Sequence, residues 1–500
     1  MSSLAALKEI LNKVARLNQA GAVLDWDQQC YMPPGGAEAR AEQQAVIGRL
    51  HHELFTSDEV GTLLEKSRAE LNGAGPDSDD AALIRVTQRE FDRETKVPAD
   101  LVAEFAKTTS LAHETWVRAR KANDFESFRP TLEKVVDLCR QIAEHRGYED
   151  NIYDALLDQF EPGMKSAEVD KIFGELRPTL VEMVKRIQDS PVKADGTIMT
   201  RSYPIDKQRE ICNDVVKLVG YEFENGRQDE APHPFCTNFS NKDVRITTRF
   251  DEHYLPGSIF ASLHEAGHAM YEQGSPDKFE GTPLAGGVSL GFHESQSRMW
   301  ENQVGRSKEF IGYYFPRLQQ AFPDALGGVS ADDFRRAANR VEPSLIRVEA
   351  DEVTYGLHIM LRYELEKMML EGKVDFKDLP ELWNTKMQEY LGVTPDSDAN
   401  GVLQDVHWSS GILGYFPTYQ LGNLISAQLW EKMNEDISDI PGQMALGEFG
   451  QILQWLRANV HQHGAKYMPA DLIVKATGKA LSSDAYNRYI ESKYSEIYDL

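Results

Sequence analysis

A mainly α-helical protein is predicted for this chain of 500 residues, on three observations. Apolar residues return at three- and four-residue intervals in segment after segment, the spacing that lines one face of an α-helix. Only one stretch, near residue 240, instead alternates β-branched and aromatic residues with polar ones, at a strand's period of two. A content of 41% hydrophobic and 27% charged residues is that of a globular protein with a large core.

The elements follow in order. Leu7, Ile10, Leu11, Val14 and Leu17 mark a helix over 4–22, with Ser2 or Ser3 as its cap. Further helices are predicted over 37–55, 80–95, 99–121, 128–146 and 166–189, punctuated by MPPGG at 32–36, NGAGPDSDD at 72–80 and SPVKADGT at 190–197. Residues 234–250 read as strand, most clearly from Val244 to Phe250. A loop, EGTPLAGGVSLG at 280–291, then leads into helices predicted at 288–305, 331–341, 343–371, 419–434 and 446–460. There is no long linker, internal repeat or low-complexity tract. The chain is therefore read as one unit over 1–500, with room for two lobes.

A net charge of −25 argues against nucleic acid as a partner, because such proteins carry basic patches, and disfavours anionic membrane surfaces. Cys30, Cys139, Cys212 and Cys236 are far apart and form no CxxC pair, as expected of plain thiols in a reducing cytoplasm. The start, MSSLAALKEILNKVARL, lacks the cationic lead and unbroken apolar run of a secretory signal. No apolar stretch approaches the roughly 20 residues needed to cross a bilayer.

The chemistry centres on SLHEAGHAMYEQG at 262–274. On a helix, residues four apart share a face, so His264 and His268 can offer two imidazoles to one cation. Glu265 lies about 100° round the helix, placed to act on a water rather than to bind metal. Leu263, Ala266, Gly267 and Ala269 are small or apolar, as in a helix that packs closely. A second cluster, Gly291-Phe292-His293-Glu294-Ser295-Gln296, opens another helical segment. Glu294 is assigned as the third ligand, the usual place of a glutamate in HExxH peptidases of the glutamate type, with Glu301 as the competing candidate. His293 is read as supporting the ligands. Two histidines and one carboxylate leave a fourth position open, the mark of a catalytic site. Zinc, one ion per chain, is the expected metal, and cobalt or manganese can substitute. His51, His52, His113, His145, His461 and His463 show no ligand-like context.

These motifs, together with WDQQCYMPPGGAEARAEQ at 26–43, HPF at 233–235, DVRIT at 243–247, IRVEAD at 346–351 and GVLQDVHW at 401–408, resemble the carboxypeptidase Taq family of metallocarboxypeptidases along nearly the whole chain. The resemblance implies a two-lobed helical fold like that of neurolysin and angiotensin-converting enzyme. It implies a deep groove, with a small sheet beside the metal helix. It also implies release of single C-terminal residues from peptides with broad tolerance, and a homodimer. The strand at 244–250 is expected to be an edge whose backbone pairs with an extended substrate.

In this reading Glu265 is the general base. His407 and a tyrosine, Tyr419 in preference to Tyr415, stabilise the oxyanion. Arg245 and Arg347 are the candidates for gripping the free C-terminal carboxylate, each with a salt bridge to Asp243 or Asp351 as the plainer alternative. His233 is expected to close the end of the groove. An oligopeptidase or dipeptidyl carboxypeptidase on the same fold, and a catalytically silent peptide-binding protein, are the competing readings.

Overall fold

In the computed structural model every residue is described except Met1, Asn72 and Ala74, so two positions of the 72–80 loop lie outside the described residues. The chain forms two units, each built from three separated segments. Unit 1 comprises Met1–Glu94, Ala194–Ala338 and Gln428–Ala480; unit 2 comprises Thr95–Lys193, Asn339–Ala427 and Leu481–Leu500.

Unit 1 begins with a helix from Ser3 to Cys30, capped by the Ser2 hydroxyl, which accepts the Ala5 amide at 3.2 Å. The predicted apolar face, Leu7, Ile10, Leu11 and Val14, is buried, and the helix runs beyond the predicted end at 22 to bury Trp26. Nothing stops it before Pro33 and Pro34, whose rings cannot continue a helix interior. It packs on helices Ala37–Phe55 and Asp58–Glu70, the second of which periodicity did not reveal.

The sheet of unit 1 has three strands, β1 (Gln228–Glu230), β2 (Cys236–Ser240) and β3 (Asp243–Thr248), in the order β1-β3-β2. β1 pairs parallel to β3, with Gln228 opposite Ile246; β2 pairs antiparallel, with Cys236 opposite the same Ile246. The stretch predicted as strand over 234–250 is thus two strands, β2 and β3, joined by a turn, and its most clearly predicted part, β3, is the centre of the sheet, not its edge. Both of its ladders are occupied, so its backbone has no row of free groups to offer a substrate. Alternation in the sequence identifies a strand but carries no information about its neighbours. Val244 and Ile246, fully buried, pack β3 against the helix Pro256–Gln273, which holds the HEAGH motif.

Three predicted helices are interrupted. The 288–305 segment is an α-helix over Leu290–Arg298 that continues as a π-helix over Met299–Gly305. The 343–371 segment begins only at Glu352, because Asp351 caps it, accepting the Val353 and Thr354 amides at 2.9 and 3.0 Å. The 446–460 segment is a helix only from Gly450 to Asn459, after Gly447 turns with φ of +76°.

Unit 2 packs helices Phe125–Arg146, Ser166–Asp189 and Leu379–Leu391 around Glu352–Leu370, with Ala99–Ala122 against Phe125–Arg146 and Asp484–Tyr498 against Ser166–Asp189. The central helix buries even His358, Arg362 and Glu366 completely. No described helix is long and apolar enough to cross a membrane.

Candidate active site

His264 and His268 share one face of the Pro256–Gln273 helix, with ring centroids 5.0 Å apart. The facing helix, Leu290–Arg298, starts where the Ser289 hydroxyl accepts the Phe292 amide at 3.1 Å. Gly267 lets the two backbones meet: a Cβ there would lie 2.6 Å from both the Gln296 carbonyl oxygen and the Ser297 Cα. This approach brings Glu294 to the histidines. Nε2 of His264 and Nε2 of His268 each lie 3.6 Å from the same atom, Oε2 of Glu294. Donors bound at about 2.0–2.2 Å around a tetrahedral ion sit roughly 3.4 Å from one another, so the three fit one divalent cation. Among the described residues they are the only group of three or more His, Cys, Asp or Glu donors that converges this way.

The surrounding hydrogen bonds fix the tautomers. Glu301 Oε2 takes the proton on Nδ1 of His264 at 2.9 Å, leaving the Nε2 lone pair for a metal. On the other ring, Glu272 Oε1 lies 2.5 Å from Nε2 of His293, so that nitrogen donates. Nδ1 of His293 lies 3.0 Å from Nδ1 of His268; with His293 neutral that atom accepts from His268 and leaves the His268 Nε2 lone pair free for a metal. The Arg298 Nε donates to Glu294 Oε1 at 2.6 Å, turning the other carboxylate oxygen toward the histidines. Glu301, the competing ligand candidate, is thus engaged at the back of His264, with Arg306 Nη2 donating to its other oxygen at 3.0 Å.

Charge in this cluster is unbalanced in the direction that favours a cation. Burial pushes the Glu265 carboxyl up to about 7; His264 opposes the rise, and the Glu294 and Glu301 carboxylates add to it. His264 is drawn up despite its burial, because those carboxylates favour its charged form. His268 is held well below its usual value, first by burial and then by His264, His293 and Arg298, so it stays neutral as a ligand must be.

The remaining predicted residues fall into separate places. Arg245, in unit 1, makes a bidentate pair with Asp243 (2.8 and 2.9 Å) and lies over the Trp26 and Phe239 rings at 4.2 and 4.8 Å. Its charge is already matched. His233 is exposed between β1 and β2.

In unit 2 the structure gathers Arg347, His407, Tyr415 and Tyr419. Arg347 donates twice to Asp405 Oδ1, at 2.9 and 2.8 Å, and Arg362 donates to Oδ2 of the same carboxylate at 2.5 Å. Asp351, the partner first considered for Arg347, is instead a helix cap. The Arg347 guanidinium lies 5.4 Å from the Tyr419 ring, which meets Tyr415 edge-on at 5.2 Å; Tyr415 in turn is 5.6 Å from His407. Burial lowers His407 to about 4, with Asp405 opposing and Arg347 and Arg362 reinforcing the fall.

The model of the carboxypeptidase Taq (M32) metallopeptidase family matches residues 6–494. The chain belongs to this family. Among its relatives, "Carboxypeptidase 1" of Bacillus subtilis is 40% identical over 493 residues, covering 98% of this chain and 97% of that protein. "Thermostable carboxypeptidase 1" of Thermus thermophilus is 42% identical over 502 residues, covering 98% of each. The crystal structure of the M32 carboxypeptidase from Deinococcus radiodurans superposes with a TM-score of 0.97 at 38% identity, over 100% of both chains. The protein is accordingly a metallocarboxypeptidase, a peptide hydrolase of the carboxypeptidase Taq type, built on that family's mainly helical fold.

Sequence reasoning missed the residues that hold the candidate ligands in place. Arg298 stands four residues after Glu294, a helical spacing that signals the pair. Glu272 stands four after His268, yet reaches His293 on the other helix, which no spacing reveals. Arg362 was hidden inside a helix that is buried on nearly every side.

Proposed function

We propose a zinc-dependent carboxypeptidase that releases single C-terminal residues from peptides with broad side-chain tolerance, in which His264, His268 and Glu294 hold the metal. The observation that carries this reading is the convergence of two imidazole Nε2 atoms on one Glu294 oxygen, each 3.6 Å away, with the Glu265 carboxylate buried next to His264. A divalent ion held there supplies Lewis acidity toward the scissile carbonyl and the attacking water.

The chain's own residues do the rest. Glu265 takes the water proton and returns it to the leaving amine; a carboxyl poised near neutrality suits both transfers. His407 and Tyr419 donate hydrogen bonds to the oxyanion, with Tyr415 beside them. Arg347 takes the role of binding the substrate carboxylate in preference to Arg245. Two guanidiniums, Arg347 and Arg362, share the single Asp405 carboxylate, leaving a positive charge unmatched within hydrogen-bond reach, whereas Arg245 has Asp243 to itself. His233, exposed before β2, keeps the role of closing the end of the groove and so limiting cleavage to the terminus. Should backbone pairing to the substrate occur, it falls to β2 rather than β3. The working form is read as a cytoplasmic homodimer.

Timed mass spectrometry of one peptide as free acid and as C-terminal amide, with and without chelator, tests the reading. Single residues should leave the free acid only, and only without chelator. Cleavage of the amide, or release of dipeptides, would instead establish the oligopeptidase or dipeptidyl carboxypeptidase alternative.

A further inference from the structure

Unit 1 contains a cavity of about 580 Å³, lined in part by His51, His52, Phe55, Glu90, Arg93 and Asn238. That volume lies within the roughly 300–1,000 Å³ of small-ligand sites. None of its residues belongs to the metal cluster. Two of its walls carry charge that the protein does not use. The Glu90 carboxylate is partly buried but makes no hydrogen bond and no ion pair with any described residue; its charged neighbours are Arg93, Arg89 and Glu94. The Arg93 guanidinium makes one long contact, 3.8 Å to Glu94, and donates no hydrogen bond to a described residue. The Glu90 carboxylate, largely taken from water and left unbonded, costs free energy unless a ligand completes it, and the partly exposed Arg93 keeps its donors available beside it.

Both residues stand on the Asp79–Thr95 helix at a spacing of three, which sets their Cβ atoms about 5–6 Å apart on one face. An anion and a cation at that separation, each with free hydrogen-bonding capacity, complement an ammonium and a carboxylate on one carbon. Leu11, Val14 and Phe55 add an apolar wall for a side chain. A metal ion is the poorer occupant, because the histidines and carboxylates here do not converge as donors.

We propose that this cavity binds a free α-amino acid, its ammonium on Glu90 and its carboxylate on Arg93. The choice of an amino acid rests on the carboxypeptidase activity, whose product belongs to that class; the charge complementarity stands apart from it. Asn238 ties the cavity to the catalytic helix: its amide donates to Glu272, which holds His293 against His268.

The test is calorimetric titration of the metal-loaded protein with leucine, N-acetyl-leucine and leucinamide, alongside peptide cleavage by the same preparation. Leucine should bind saturably, and each blocked derivative at least tenfold more weakly. Glu90→Gln and Arg93→Gln should each weaken leucine binding at least tenfold while kcat/KM, measured before product accumulates, stays within twofold. Hydrogen exchange on the wild-type protein should slow at least twofold within Asp79–Thr95 when leucine is added, a readout that needs no variant. Equal leucine affinity in the wild type and both variants, N-acetyl-leucine binding as tightly as leucine, absence of saturable binding, or unchanged exchange in that helix would each overturn the proposal. Loss of cleavage alone would speak against the catalytic reading and leave these binding outcomes decisive for the cavity.

Discussion

Glu265 and Glu294, both buried, and the half-buried Glu301 form one cluster of carboxylates, and their surroundings divide the labour among them. Glu265→Gln should lower kcat by about 10²–10⁴-fold, the usual worth of a general base, with metal content unchanged by elemental analysis. Glu294→Ala should abolish stoichiometric metal binding. Glu301→Gln keeps all three donors and removes only the negative charge behind His264, so metal affinity should fall by about 10–100-fold. Equal loss in the two variants would overturn the ligand assignment. His407 offers a pH test. Its folded pKa, about 4, lies below the ordinary value of about 6.5, so between those values the unfolded state binds more protons. Its contribution to stability is complete above about 6.5 and is lost as pH falls toward 4. Carbon-13 labelled histidine spectra should show this ring titrating near 4, and His407→Gln should flatten the acid limb of the stability profile.

At the scale of elements, Gly267 is the position where sequence and site meet. Its missing Cβ sets the approach of two helices, and Gly267→Ala forces the Gln296–Ser297 backbone away. Overpacking of this kind costs about 1–3 kcal/mol, so the variant should melt lower and bind metal more weakly than wild type even though every ligand is intact. The local patterns that foretold these elements were reliable where burial is one-sided. Leu7, Ile10, Leu11 and Val14 face a core on one side only, and their period shows it. They failed where burial is complete or where a cap interrupts a run. Glu352–Leu370 is buried all round and offers little periodicity, and its start depends on Asp351 rather than on any apolar residue. The place of β3 within its sheet is settled by its pairing with β1 and β2, which a period of two does not report.

For the whole molecule, the proposed metal donors come from a single unit, two from one helix and one from its neighbour, so two short motifs were enough to suggest them. The ring of second contacts could not be read this way, since Glu272 meets His293 only in three dimensions. Because the donors lie in unit 1, chelation should lower the melting temperature, by an amount that grows with metal excess over Kd. Faster hydrogen exchange should concentrate in residues 256–305. Exchange that rises equally in unit 2 would argue against donors confined to unit 1. The interleaved segments also bear on how the chain is made. Unit 2 emerges first as Thr95–Lys193 and is completed only by Leu481–Leu500, so residues 194–480 must be synthesised in between. At about 5–20 residues per second that interval lasts roughly 15–60 s, long compared with the microseconds in which its helices form. Nascent helices with an unfinished core therefore wait on the ribosome until Leu481–Leu500 become available to complete it.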